Sequence, residues 1–233
     1  LHKEYRRQRQ MCIRDRSKGH PTLMILIDNL RYDQWKTIEP FVVEDYSIKK
    51  NIIYTSILPT TTQYCRNSIF SGLSPIDINK FHPNYWVNET DEGGKNKYED
   101  ELINEQFLRL GIKSNYKYHK ILNPKDGESF LNRMSNEKQN ELTVMVYNFV
   151  DMISHAKKDV KFIKELASSD RAYRELTKGW FKNSKLNEII KRGKELRFKI
   201  IITSDHGTIN VDKATLVSGD KEISNNLRYK TSR

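Results

Sequence analysis

Three aspartates, two histidines and a threonine-rich turn carry the chemistry that this sequence can perform. Asp28, Asp151 and Asp205 each follow directly on an apolar run, His155 stands one helical turn after Asp151, and His206 is next to Asp205. A single acid at a strand end usually caps a helix or closes a turn. Three such acids with two histidines at these offsets are harder to assign to caps alone, and they read as metal ligands. If Asp151 opens a helix, His155 lies on the same face one turn on. One carboxylate oxygen and one imidazole nitrogen then meet a single ion. In Ser204-Asp205-His206-Gly207 the adjacent ligands converge only on a bent backbone, which Gly207 permits. Oxygen and nitrogen donors without thiolates suit Zn²⁺ in a hydrolytic site, and Mn²⁺ less often.

The candidate nucleophile lies in Leu58-Pro59-Thr60-Thr61-Thr62-Gln63-Tyr64, which leads into a helical pattern. A hydroxyl at a helix N-terminus gains from the positive end of the dipole and from free amide donors. A metal beside it lowers the pKa of the hydroxyl towards neutrality. The alternative is that these threonines are only caps. Spacing alone does not choose among the three.

The elements that must position these residues are short β-rich runs alternating with helical patterns. Thr22–Asp28, Asn51–Ile57, Leu142–Val150 and Phe198–Ser204 read as buried strands, and 111–118 as a weaker one. Helices are expected over 62–72, 97–110, 152–166 and 170–191. In 97–110 the pattern uses Leu102, Gln106, Leu108 and Leu110, and Gly111 stops it. Residues 76–97, with Pro83 and Gly93-Gly94 after Pro75, read as an irregular surface excursion. This alternation predicts an α/β domain with a mainly parallel central sheet and helices on both faces. In such a sheet ligands bind beyond the carboxyl ends of the strands. Asp28, Asp151, Asp205 and Thr62 would then share one edge.

Composition bounds the rest. The 233 residues are 36% hydrophobic and 30% charged, enough for one sizeable domain with a core. The net charge of +11 suits an anionic substrate or nucleic acid, or simply a lysine-rich solvated surface. No recognised DNA-binding motif is present. No apolar run approaches the roughly 20 residues that span a bilayer. The basic N-terminus has no apolar stretch of a signal peptide, and two cysteines make no disulfide framework. The expectation is a cytoplasmic protein. Residues 1–16 hold six basic and two acidic residues without a clear period, and read as a non-native or linker segment ahead of a domain over 17–233.

Asp28, the Thr62 helix start, Asp151-x-x-x-His155 and Asp205-His206-Gly207 stand in the order seen in the alkaline phosphatase superfamily. Pro59-Thr-Thr-Thr62 with Asn67-Ser-Ile-Phe-Ser-Gly-Leu-Ser-Pro75 resembles the nucleophile region of its phosphodiesterase members. Asp28-Asn-Leu-Arg-Tyr-Asp33, Tyr147-Asn-Phe-Val-Asp-Met-Ile-Ser-His155 and Asn226-Leu-Arg-Tyr-Lys230 resemble the PglZ branch, in particular the output domain of PorX-type response regulators. The resemblance covers about residues 18–233. It implies an alkaline-phosphatase-like fold, Thr62 as the nucleophile, and two zinc ions. One would be held by Asp28, Asp205, His206 and Thr62, the other by Asp151, His155 and a further histidine with no match here. It also implies a phosphoester or nucleotide substrate and a threonyl-phosphate intermediate. Diesterase members often carry Asn three residues after the nucleophile, where this chain has Cys65. Arg66 and Asn67 are the candidates to bind the phosphoryl group, with a helix-face salt bridge as the alternative for Arg66. The rival is a non-catalytic signalling output domain that binds a protein partner such as a sigma factor. The missing histidine, and Arg233 following Asn226-Leu-Arg-Tyr-Lys230 with no closing strand or helix, lead us to expect a C-terminally incomplete fragment with little or no activity of its own; the receiver domain that precedes this one in PorX-type proteins has no counterpart in the sequence.

Overall fold

The apolar run Thr22–Ile27 forms a strand with all six residues buried, as its composition demands. The structure is a computed structural model, and it describes residues 20–88, 91–148, 169–209, 211, 213, 215–216 and 229. In chain order the described elements are β1 (Thr22–Ile27), α1 (Tyr32–Val43), α2 (Thr62–Ser71), α3 (Pro75–Phe81), α4 (Glu99–Arg109), β2 (Tyr116–Ile121), α5 (Pro124–Arg133), β3 (Leu142–Tyr147), α6 (Asp170–Lys182), α7 (Lys185–Glu195) and β4 (Lys199–Thr203). The chain divides into two units. One holds the sheet, with the described residues up to Tyr54 and Ser114–Thr208; the other holds Thr55–Lys113 and the described residues from Ile209 on.

In the sheet unit the strand order is β2-β3-β1-β4, and every pairing is parallel. The alkaline-phosphatase-like α/β expectation therefore holds. Successive side chains of a strand face opposite ways. Leu23, Ile25 and Ile27 face a core built by Ile38 and Val42 of α1, Phe130 of α5, Phe181 of α6, and Leu186, Ile189 and Ile190 of α7. Met24 and Leu26, paired in register with Val144 and Val146, are buried on the other face. A sheet closed on both faces explains why β1 and β3 read as unbroken apolar runs rather than alternating ones.

Caps set the helix ends. Ser169 accepts from the Ala172 amide at 3.2 Å at the head of α6, and Ser184 accepts from the Asn187 amide at 3.3 Å at the head of α7. The Asn183-Ser184 break therefore splits the single helix expected over 170–191 into two. At α5, Asn123 and Asp126 form a reciprocal capping box. That signature lay in the sequence and the helix was missed, as was α1. The weak strand of 111–118 is displaced to β2.

Asn51–Ile57 does not join the sheet among the described residues. Ile53 is 67% exposed, and Tyr54 meets Thr203 of β4 through hydroxyls 3.3 Å apart instead of through the backbone ladder. The expected strand is thus a tether along the β4 edge. The helix expected over 152–166 lies outside the described residues.

In the other unit α2 and α4 pack together. The buried side of α4 is Leu102, Ile103, Gln106 and Phe107, while Leu108 is exposed, so its apolar stripe is rotated from the pattern anticipated. The excursion over 76–97 begins inside α3, whose N-cap Ser74 and first residue Pro75 are standard helix-start chemistry.

Candidate metal centre

β1 and β4 are neighbours, and their register pairs Leu26 with Thr203. Two steps further along each strand come Asp28 and Asp205, level with each other at the carboxyl end of the sheet. The local backbone explains how their side chains converge. Asn29 adopts a left-handed φ of 61°, a conformation that asparagine tolerates better than most residues. The turn aims the Asn29 amide at Asp205 Oδ1, 3.0 Å away. The His206 amide donates to the same oxygen at 2.9 Å. Ser204 joins the two loops from behind, accepting from the Leu30 amide at 3.1 Å and donating to the His206 carbonyl at 2.9 Å. Asp28 is anchored to the third strand, its amide donating to the Tyr147 carbonyl at 3.0 Å.

Asp28, Asp205 and His206 form a buried group whose ligand atoms all lie within 4.8 Å of one another. His206 Nε2 is 3.7 Å from Asp28 Oδ1 and 3.7 Å from Asp205 Oδ2. Its Nδ1 lies 3.3 Å from the Gly207 carbonyl. With the proton on Nδ1, donated to that carbonyl, the Nε2 lone pair faces the two carboxylates, the usual arrangement of a metal-binding imidazole. Two donors about 2.1 Å from a tetrahedral zinc are about 3.4 Å apart. The two imidazole–carboxylate separations of 3.7 Å are within a few tenths of an ångström of that spacing. Two carboxylates and an imidazole grouped this closely in a buried site could hold a cation between them. An all-oxygen-and-nitrogen donor set is one that zinc accepts.

The nucleophile region lies in the other unit. Thr62 is the first residue of α2 and half-buried, with Thr61 as the extended N-cap residue making no side-chain cap bond. Asn96 donates to the Thr62 carbonyl at 3.3 Å and to Asn67 Oδ1 at 3.0 Å, and Asn67 donates to the Lys95 carbonyl at 3.1 Å. Asn67 is thus held by the loop before α4. Arg66 is 2% exposed and its Nε pairs with the buried Glu99 carboxylate. Cys65 is a buried free thiol directed at the carbonyls of Ile57 and Pro59, 3.5 and 3.7 Å away. Asp151 and His155 lie outside the described residues. Sequence reasoning missed Asn29, Ser204, Asn96 and Glu99. The first two sit beside ligands already singled out, which was the available signal.

A parallel α/β sheet with an Asp–Asp–His group at the carboxyl ends of adjacent strands has the architecture of an alkaline-phosphatase-like domain. Residues 9–233 match the family model described as the BREX system PglZ alkaline phosphatase-like domain, and the chain belongs to the PglZ family. No curated protein matches it. None of the described helices is long and apolar enough to cross a membrane.

Proposed function

We propose that this domain is a zinc-dependent phosphoester hydrolase acting through Thr62. The observation that carries the reading is the convergence of Asp28, Asp205 and His206, buried and at ligand spacing, on one edge of the sheet. Asp28, Asp205 and His206 would hold the zinc, which would supply Lewis acidity for an alkoxide near neutral pH and for charge on a phosphoryl oxygen. The chain's own residues do the rest. Asp205 is fixed by two backbone amides, and His206 is oriented by Gly207. Thr62 Oγ forms the bond to phosphorus while the ester P–O bond breaks and the leaving oxygen takes a proton. Water then cleaves the threonyl-phosphate and restores the hydroxyl. The family resemblance assigns Asp151 and His155, which lie outside the described residues, to a second zinc. Arg66 and Asn67 stand on the helix that Thr62 opens. Each is already engaged by Glu99 or by Lys95 and Asn96, so a part in holding phosphate would share those bonds. The motif wording supports a nucleotide-type substrate and a setting as a response-regulator output domain.

Elemental analysis of the 233-residue chain, with its Asp205→Ala, His206→Ala double variant alongside, tests the centre. The parent should carry zinc at near-stoichiometric levels and the double variant should lose it. Equal zinc in the two proteins would remove the assignment.

A further inference from the structure

The Arg31 side chain reaches from the β1 loop to the head of α6, and its stem passes beside Gly207. Its Nε and Nη2 donate to the two oxygens of Asp33 at 2.8 and 2.6 Å. Its Nη1 donates to Asp170 Oδ1 at 2.8 Å. The guanidinium lies 5.6 Å from the centroid of the Tyr173 ring, and Arg174 adds a bond to Asp33 Oδ2 at 3.1 Å. Two carboxylates and an aromatic face therefore fix a side chain only 13% exposed. The stem held in this way is a floor for the metal loop. A Cβ placed on Gly207 would lie 3.0 Å from Arg31 Cγ and 3.5 Å from Arg31 Cα. A side chain there would make the Arg31 stem yield by a few tenths of an ångström, and the carbonyl of Gly207 is the one facing His206 Nδ1.

We infer that Arg31 is a positioning residue of the metal centre: clamped by Asp33 and Asp170, it sets Gly207 and so the direction of the His206 imidazole. The inference rests on the zinc reading above and adds a part to it that touches no metal. Arginine is needed because one planar fork serves both oxygens of Asp33 and still reaches Asp170, which a lysine cannot do. The contact also assigns a reason to Gly207 beyond backbone freedom.

The experiment is zinc affinity of the 233-residue chain by competition with a chromogenic chelator. Thermal unfolding of the metal-free forms is followed in parallel. Arg31→Ala should weaken zinc by about ten- to a hundredfold, the usual effect of losing a group that orients a ligand. Arg31→Lys, which keeps the stem and protects the fold, should fall between. Gly207→Ala should weaken zinc in the parent background but much less beside Arg31→Ala, because the colliding stem is gone. Thr177→Val loosens the same helix pair without touching Arg31, and should lower the melting temperature while leaving zinc affinity unchanged. Zinc affinity of Arg31→Ala within twofold of the parent would overturn the inference, as would fully additive penalties for Arg31→Ala and Gly207→Ala. A parent that binds no zinc would instead remove the metal centre itself.

Discussion

At the scale of the residue, the threonines of the turn before α2 separate by environment. Thr61 Oγ1 is buried and makes no hydrogen bond among the described residues. Replacing it by the isosteric valine removes a desolvated hydroxyl and should hold or raise the melting temperature. Thr62 opens the helix, and in a full-length version of the protein Thr62→Val should lower hydrolysis of a chromogenic phosphodiester by ~10³-fold or more, the loss expected if Thr62 is the covalent nucleophile. Thr61→Val should leave that rate nearly unchanged. A dead Thr61→Val with an active Thr62→Val would move the nucleophile by one residue. The grouping of Asp28, Asp205 and His206 was legible from types and offsets, and the three meet where the strand ends required. What holds them was not legible. The left-handed turn at Asn29 and the bridge through Ser204 depend on two loops far apart in the chain, and no local spacing encodes that meeting.

At the scale of the element, α1 and α6 are joined by a buried polar contact. Gln34 Nε2 donates to Thr177 Oγ1 at 2.8 Å, and both side chains are fully enclosed. The other end of the Gln34 amide accepts from the Arg31 backbone at 3.0 Å, so one side chain starts the helix and docks it. Thr177→Val strands the amide donor and should cost about 1–3 kcal/mol, read by urea denaturation. A variant as stable as the parent would mean that the amide finds another acceptor. The strands were largely legible because β1 and β3 are buried on both faces and therefore apolar throughout. Asn51–Ile57 has the same texture and fails, since a β-rich run becomes a strand only where a ladder partner is supplied. The α1 helix was hidden because Arg31 is an unusual N-cap residue and Pro40 stands inside it. At α6 and α7 the period was right, but a serine able to cap divided it.

At the scale of the molecule, the net charge of +11 sets the response to acid. Partial burial pushes the Asp33 carboxyl up, and hydrogen bonds from Arg31 and Arg174 outweigh it, leaving the group below the ordinary carboxylate range. A carboxyl depressed on folding stabilises the native state above its unfolded pKa, near 4, and that contribution is lost as pH falls through the folded value. Each proton also adds to a charge that is already positive. Chemical denaturation at stepped pH should therefore show stability falling steeply below about pH 4. Asp33→Asn should be less stable at neutral pH and flatter in acid. An Asp33→Asn curve parallel to the parent would show that the clamp around Arg31 contributes nothing to acid lability.

The strand order places β1 between β3 and β4, and Asn29 is 176 residues from the Asp205 side chain that it holds. On a ribosome adding about 5–20 residues per second, Asp28 waits about 9–35 s for its partner ligands to be synthesised. Until β3 (Leu142–Tyr147) emerges, the fully buried β1 has neither flanking strand, and until β4 follows it has only one, so it depends on other surfaces or a chaperone for cover. The Asp28–Asp205–His206 group is therefore completed only after β4 has emerged, and it cannot nucleate the pairing of β1 with β3. A nascent chain arrested before β4 lacks two of the three grouped side chains, Asp205 and His206, and should retain no zinc at that position.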